Sequence, residues 1–239
     1  MSLALDDPTI FLALQKGASQ LQGQFVRGSN YTFLVEITLE EVSLTAVYKP
    51  VRGEQPLWDF PQNSLAKREV AAYLVSQALG WNLVPPTIFR RSRLPLGAGS
   101  LQFFVDHHPG DHFFNFSAAD RARLRPTAVF DLLINNADRK AGHILRALDG
   151  RFWLIDHGVC FHVEDKLRTV VWDFAGEPIP VSLLADLERL LPALEKDAQL
   201  ALELKPWLRP SEINALRRRA VGLLKDPTFP PPPTDRRSF

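Results

Sequence analysis

Asp138 and Asp156 lie eighteen positions apart, each in a turn beside a strongly apolar stretch. The first stands in Asn136-Ala137-Asp138-Arg139-Lys140-Ala141-Gly142-His143, the second in Leu154-Ile155-Asp156-His157-Gly158-Val159. Ile144-Leu145, an Asp149-Gly150 turn and the run Phe152 to Ile155 separate them, which reads as a two-strand hairpin with a carboxylate at each end. Phosphoryl transfer uses such a pair: one carboxylate orients or deprotonates the attacking hydroxyl, and the other holds the metal on the nucleotide phosphates. Upstream, Lys49 closes the apolar run Ala46-Val47-Tyr48, and Glu69 follows twenty positions later in a helical pattern. A strand lysine that reaches phosphate oxygens and a helix glutamate that positions it would stand in this order. Asp59, Lys67 and Arg68 are near enough in sequence to compete for these roles. Gly28-Ser29-Asn30 offers a phosphate-covering loop of backbone N–H groups with the Ser29 and Asn30 side chains, although a plain hairpin turn explains it equally well.

The elements that must carry these groups divide at about residue 105. Helix-compatible spacing covers 9–22 despite Gly17, and three β-rich runs follow at 24–27, 31–38 and 44–49, a pattern that predicts an antiparallel meander. Ser64 is a candidate cap for a helix over 65–79 that Gly80 stops, and further strands are predicted at 87–90 and 101–105. Beyond lie the polar stretch Asp106-His107-His108-Pro109-Gly110-Asp111-His112 and a helix over 118–135. Three more helices are predicted at 183–191, 193–204 and 211–224, the last capped by Ser211. The expected domains are a β-rich N-lobe over 1–105, a helical C-lobe over 106–225 and a proline-rich, extended and flexible tail over 226–239. The fold class is therefore α+β, with two lobes.

Composition narrows the function classes. Of 239 residues, 46% are hydrophobic and 23% charged, values of an ordinary globular chain, and the formal net charge of +1 gives no field that favours nucleic acid. Arg217-Arg218-Arg219 and the Lys166/Arg168 pair are too local to change that, although the latter could face an anionic substrate. The single cysteine, Cys160, rules out an intramolecular disulfide and suits a reducing compartment. No apolar run approaches the ~20 residues of a membrane span, and the first residues lack a signal-peptide pattern, so a cytoplasmic location is expected. His157, Cys160 and His162 invite a zinc reading, but paired clusters at zinc-site separations are missing.

Ala46-Val47-Tyr48-Lys49-Pro50, Arg68-Glu69-Val70-Ala71-Ala72-Tyr73-Leu74, and the two aspartate motifs together resemble the phosphoinositide 3-/4-kinase-like branch of the protein-kinase-like superfamily. The whole chain is also similar to a family of small actinobacterial-type proteins assigned to that branch. The likeness covers about 28–162 and implies a bilobal kinase-like fold that uses ATP with Mg²⁺ or Mn²⁺. It implies that Lys49 contacts phosphates, Glu69 pairs with it, Asp138 is the catalytic aspartate and Asp156 binds the metal. Lys140 stands where the pattern has histidine and could neutralise a transferring phosphoryl group. His143 stands where the pattern has a metal-binding asparagine, and imidazole suits Mg²⁺ less well than oxygen does. One metal therefore suffices, or a softer ion such as Mn²⁺ is used, or transfer has been lost. The expected partners are a nucleotide and a hydroxyl-bearing acceptor the resemblance does not identify, with a protein partner left open. The alternatives are a nucleotide-binding pseudokinase with a regulatory role and a nucleotidyl transferase on the same fold.

Overall fold

In a computed structural model, residues 7–25 and 30–233 are described. The first half is a five-stranded antiparallel sheet in the order β1-β2-β3-β5-β4, built from β1 (Ala18–Gln24), β2 (Phe33–Leu39), β3 (Val42–Pro50), β4 (Thr87–Arg90) and β5 (Gly99–Phe103). Alternation buries one face: Val35 and Ile37 of β2 and Leu44, Ala46 and Tyr48 of β3 pack under helix α1 (Asp7–Lys16), which contributes Ile10, Ala13 and Leu14. The opposite register at β3 leaves Val47 and Lys49 on the other face, toward the cleft.

The helix expected over 9–22 ends at Lys16. A Cβ at Gly17 would lie 2.5 Å from Ile37 Cγ2 and 2.7 Å from the Ala13 carbonyl oxygen, so only glycine lets the chain fold straight back onto β2. Residues 18–22, expected in that helix, instead belong to the edge strand β1, paired from Ala18↔Thr38 to Gln24↔Phe33. The strand expected at 24–27 thus lies earlier, and its last two residues fall outside the described ones.

Helix α2 (Leu65–Ala78) follows a long loop, and Gly80, at φ +72°, supplies the stop. Ser64 does not cap it: its hydroxyl donates to the Pro61 carbonyl. The Glu54 carboxylate reaches across instead and accepts the Leu65 and Ala66 N–H groups at 3.1 and 2.8 Å. α2 is buried nearly all round, Arg68 and Glu69 included, because it packs between the sheet and the helical half.

The second half holds α3 (Ala118–Ala122), α4 (Arg125–Ile134), the hairpin of β6 (Ile144–Arg146) and β7 (Phe152–Leu154), α5 (Val181–Ala193), α6 (Gln199–Leu204) and α7 (Pro210–Lys225). The single helix expected over 118–135 is two, because Pro126 lacks the N–H to continue a helix but suits the start of one. Val129, Phe130, Leu133 and Ile134 of α4 are buried against the hairpin and the C-terminal helices, whereas Leu132, expected in the core, is only partly buried and lines the cleft. α7 begins at Pro210, so Arg209 rather than Ser211 precedes it, and Glu212 accepts the Arg209 N–H. The chain after 225 does not run free from its first residue: Phe229 is buried against Phe174 and exchanges backbone hydrogen bonds with Gly176 and Glu177. Among the described residues no helix is long and apolar enough to cross a membrane.

Candidate functional site

A cavity of about 1440 Å³ opens between the sheet and the helical half, and Asn30, Lys49, Glu69, Asp138, Lys140, His143 and Asp156 all line it. Of the residues assigned to phosphoryl transfer from the sequence, Ser29 alone is missing from this set, because it lies outside the described residues. β3 delivers Lys49 and α2 delivers Glu69; the two form an ion pair, and Lys49 Nζ also donates to Asp156 Oδ1 at 3.0 Å. Glu69 is only 2% exposed, and its other oxygen accepts the His157 backbone N–H at 3.0 Å. Burial opposes its ionisation, yet the Lys49 charge above all, and after it the His157 side chain, outweigh burial and hold its pKa at about 2. Burial likewise pushes Lys49 down, but the Asp156 and Glu69 charges more than reverse this, so it stays protonated. Asp156 is held well below the usual carboxylate range, chiefly by the Lys49 charge.

The hairpin sets the two aspartates as anticipated. Asp138 precedes β6 and pairs with Lys140, Nζ to Oδ2 2.7 Å, while its own N–H donates to Asn136 Oδ1 at 2.9 Å. Asp156 follows β7 in a left-handed conformation, φ 62°, which aspartate tolerates better than most residues. His143 Nε2 lies 3.3 Å from Asp156 Oδ2, and burial lowers its pKa to about 4, so the ring is neutral at pH 7. Its Nδ1 accepts the Lys140 N–H at 3.4 Å, which puts the ring proton on Nε2, aimed at Asp156. Service as a metal ligand through Nε2 requires the other tautomer.

No set of three or more His, Cys, Asp or Glu side chains among the described residues could enclose a metal alone. Asp156 still fits a hard divalent ion: it is anionic, cleft-facing and next to a cation suited to phosphate, so the nucleotide itself would complete the shell. The zinc reading fails, because His157 and Cys160 are fully buried and His162 binds the Asp59 carbonyl oxygen through Nε2 at 3.0 Å. Of the competitors for the lysine and carboxylate roles, Asp59 also lines the cavity but pairs with Lys166 at 3.0 Å, and Arg68 pairs with Glu212. Asn30 reaches the cleft, but its side-chain oxygen accepts the Gln55 N–H at 2.6 Å and so braces the loop.

Beneath the aspartates lies a network that sequence reasoning left unassigned. Asp131 of α4, wholly buried, accepts Nε–H and Nη2–H of Arg139, the Thr169 hydroxyl and an Asn136 amide N–H. Arg139 also donates Nη1–H to the Ile155 carbonyl at 2.7 Å and Nη2–H to His157 Nε2 at 3.0 Å. The guanidinium therefore ties the Asp138 loop to the residues on both sides of Asp156. A carboxylate inside the apolar helix run Val129-Phe130-Asp131-Leu132-Leu133-Ile134 was the available signal, since such a group is rarely buried without a charged partner.

Protein Rv2133c of Mycobacterium tuberculosis is 45% identical over 92% of this chain and 90% of its own length. The chain belongs to the Rv2133c family. Phosphatidylinositol 4-kinase gamma 2 of Arabidopsis thaliana and gamma 4 of rice are each 30% identical, over 89% and 67% of the chain. The chain spans less than half of either plant protein, 46% and 31% of their lengths. No family model matches. Two solved structures share the architecture: hydra Fam20 with sugar (TM-score 0.52, 15% identity, 95% of this chain, 89% of that one), and the Helicobacter pylori proinflammatory kinase CtkA (TM-score 0.50, 12% identity, 90% and 94%). The Rv2133c-family chain thus has the bilobal, kinase-like α+β fold that the resemblance implied.

Proposed function

We propose that this chain is an ATP-dependent phosphotransferase that moves the γ-phosphoryl group to an acceptor hydroxyl. The observation that carries the reading is Lys49 Nζ within hydrogen-bond reach of both Glu69 and Asp156, with Asp138 in the same cavity. Lys49 binds phosphate oxygens and is held on target by Glu69. Asp138 accepts the acceptor hydroxyl and aims its oxygen at phosphorus, while Lys140 offsets the charge that builds on the transferring group. A divalent cation, Mg²⁺ or Mn²⁺, held by Asp156 with His143 beside it, would neutralise phosphate charge. Most of the acceleration comes from positioning and preorganised charge rather than from covalent chemistry. The names of the plant relatives support phosphoryl transfer in general; the acceptor is left to experiment.

The test is thermal denaturation with ATP and either metal, followed by transfer assays. ATP with metal raises Tm, because a ligand bound only by the folded state stabilises it. Lys49→Ala weakens that rise, and Asp138→Asn keeps it while abolishing transfer. No rise at millimolar ATP with either metal rules the reading out. The pseudokinase alternative draws on His143, whose Nε2–H points at the one Asp156 oxygen that Lys49 leaves open. Its signature is a full Tm rise with no transfer to water, to the protein itself or to a broad acceptor panel.

A further inference from the structure

His157 follows the metal-binding candidate and has no role in the chemistry above. It is completely buried, with its ring edge-on to Phe130 at 6.0 Å between centroids. A buried imidazole needs partners for both nitrogens, and only one has a partner here. Arg139 Nη2 can only donate, so His157 Nε2 is the acceptor of their 3.0 Å bond, and the ring proton sits on Nδ1. That Nδ1–H has no hydrogen-bond partner among the described residues. It faces Glu69 Oε2 at 3.7 Å, which is beyond hydrogen-bond length.

The gap has a direction. Glu69 now spends Oε1 on Lys49 and Oε2 on the His157 backbone N–H. When phosphate oxygens bind Lys49, which Glu69 still holds, a carboxylate that is 2% exposed shares its compensating cation with further negative charge. The adjacent buried donor without a partner is His157 Nδ1–H, short of bonding distance by about 0.8 Å, less than the ~1–2 Å shifts that helices make in switching. We propose that His157 is a positioning residue: its Nδ1–H closes onto Glu69 when nucleotide binds, and so locks α2 to the Arg139–Asp131 brace under both aspartates. The proposal rests on the nucleotide-binding reading, and deepens it by naming what couples the phosphate end of the cleft to the Asp138 loop.

Imidazole NMR of full-length, ¹⁵N-histidine-labelled protein tests it, with the His157 signals assigned by their loss in a His157 variant. The free protein shows His157 as the Nδ1–H tautomer with a proton protected from exchange. Saturation with ATP and Mg²⁺ moves that proton downfield as the bond to Glu69 forms. His157→Gln, which can set its amide oxygen where Nε2 accepts from Arg139 but then has no donor at the place of Nδ1, weakens Mg²⁺–ATP affinity about tenfold, the effect of one hydrogen bond to a buried charge. His157→Asn, whose amide N–H can reach toward Glu69, recovers part of that loss. An Nε2–H tautomer overturns the proposal, as does an unmoved Nδ1–H while Tm rises with ATP. No Tm rise with ATP fails the nucleotide reading itself, and the proposal with it, whatever tautomer the free protein shows.

Discussion

Lys49 and Glu69 are charges that neither water nor a single partner could hold where they are. Glu69 reaches its ionised state only because Lys49 and His157 compensate its burial, and the stability that results depends on pH. Its pKa falls from the usual 4.5 to about 2 on folding, so the unfolded chain takes up the proton first. The contribution is complete above pH 4.5 and is lost as pH falls toward 2. Urea midpoints between pH 6 and pH 3 should therefore fall more steeply in the native protein than in Glu69→Gln, which has no carboxylate to titrate. Equal slopes would show that Glu69 is not held ionised by its neighbours. Lys49, Glu69, Asp138 and Asp156 were readable because each stands in or beside a run of strand or helix pattern, and a pattern in one dimension marks such places. Asp131 and His157 were not readable in the same way. Their partners lie 8 and 88 positions away, and burial joins them without leaving a period in the chain.

At the scale of elements, α2 is the part whose placement decides whether Glu69 meets Lys49. Its first turn has no side-chain cap of its own, and the Glu54 carboxylate supplies one from the preceding loop while adding negative charge at the positive end of the helix. Glu54→Ala should cost about 1 kcal/mol in stability, as the loss of a helix cap does. It should also reduce the Tm rise with ATP, because the end of α2 that carries Glu69 loses its tether to the β3–α2 loop. A stability loss with an unchanged ATP response would leave Glu54 as a cap and nothing more. Elements with alternating or helical apolar spacing were legible: β2, β3, β4, the β6–β7 hairpin and the body of α2. β1 was not, because Ala-Ser-Gln-Leu-Gln-Gly-Gln is an exposed edge with one large apolar residue and hence no alternation to read. The Glu54 cap was invisible for another reason: a serine at the expected cap position offered a local solution that the fold does not use.

At the scale of the molecule, the two halves are joined through α2 by a buried ion pair. Arg68 lies one position before Glu69, 1% exposed, and pairs with Glu212 of α7 while donating to the Cys160 carbonyl. The C-terminal helix therefore bears on the depth and rotation of the helix that carries Glu69. This is why the helices after 180, which contributed little to the resemblance, still bear on the site. Breaking one side of such a pair leaves a charge without compensation, so Glu212→Gln should destabilise the protein by about 3–5 kcal/mol and flatten its ATP-dependent Tm rise. Replacing both partners, Arg68→Met with Glu212→Leu, removes the stranded charge and should recover much of the stability. It should not recover the full ATP response, because packing alone does not set α2 in register as a directional pair does. Urea denaturation and ATP titration of the single and double variants separate the two effects. A double variant with full stability and a native ATP response would mean that the pair is only packing, and that α2 takes its position from the sheet alone.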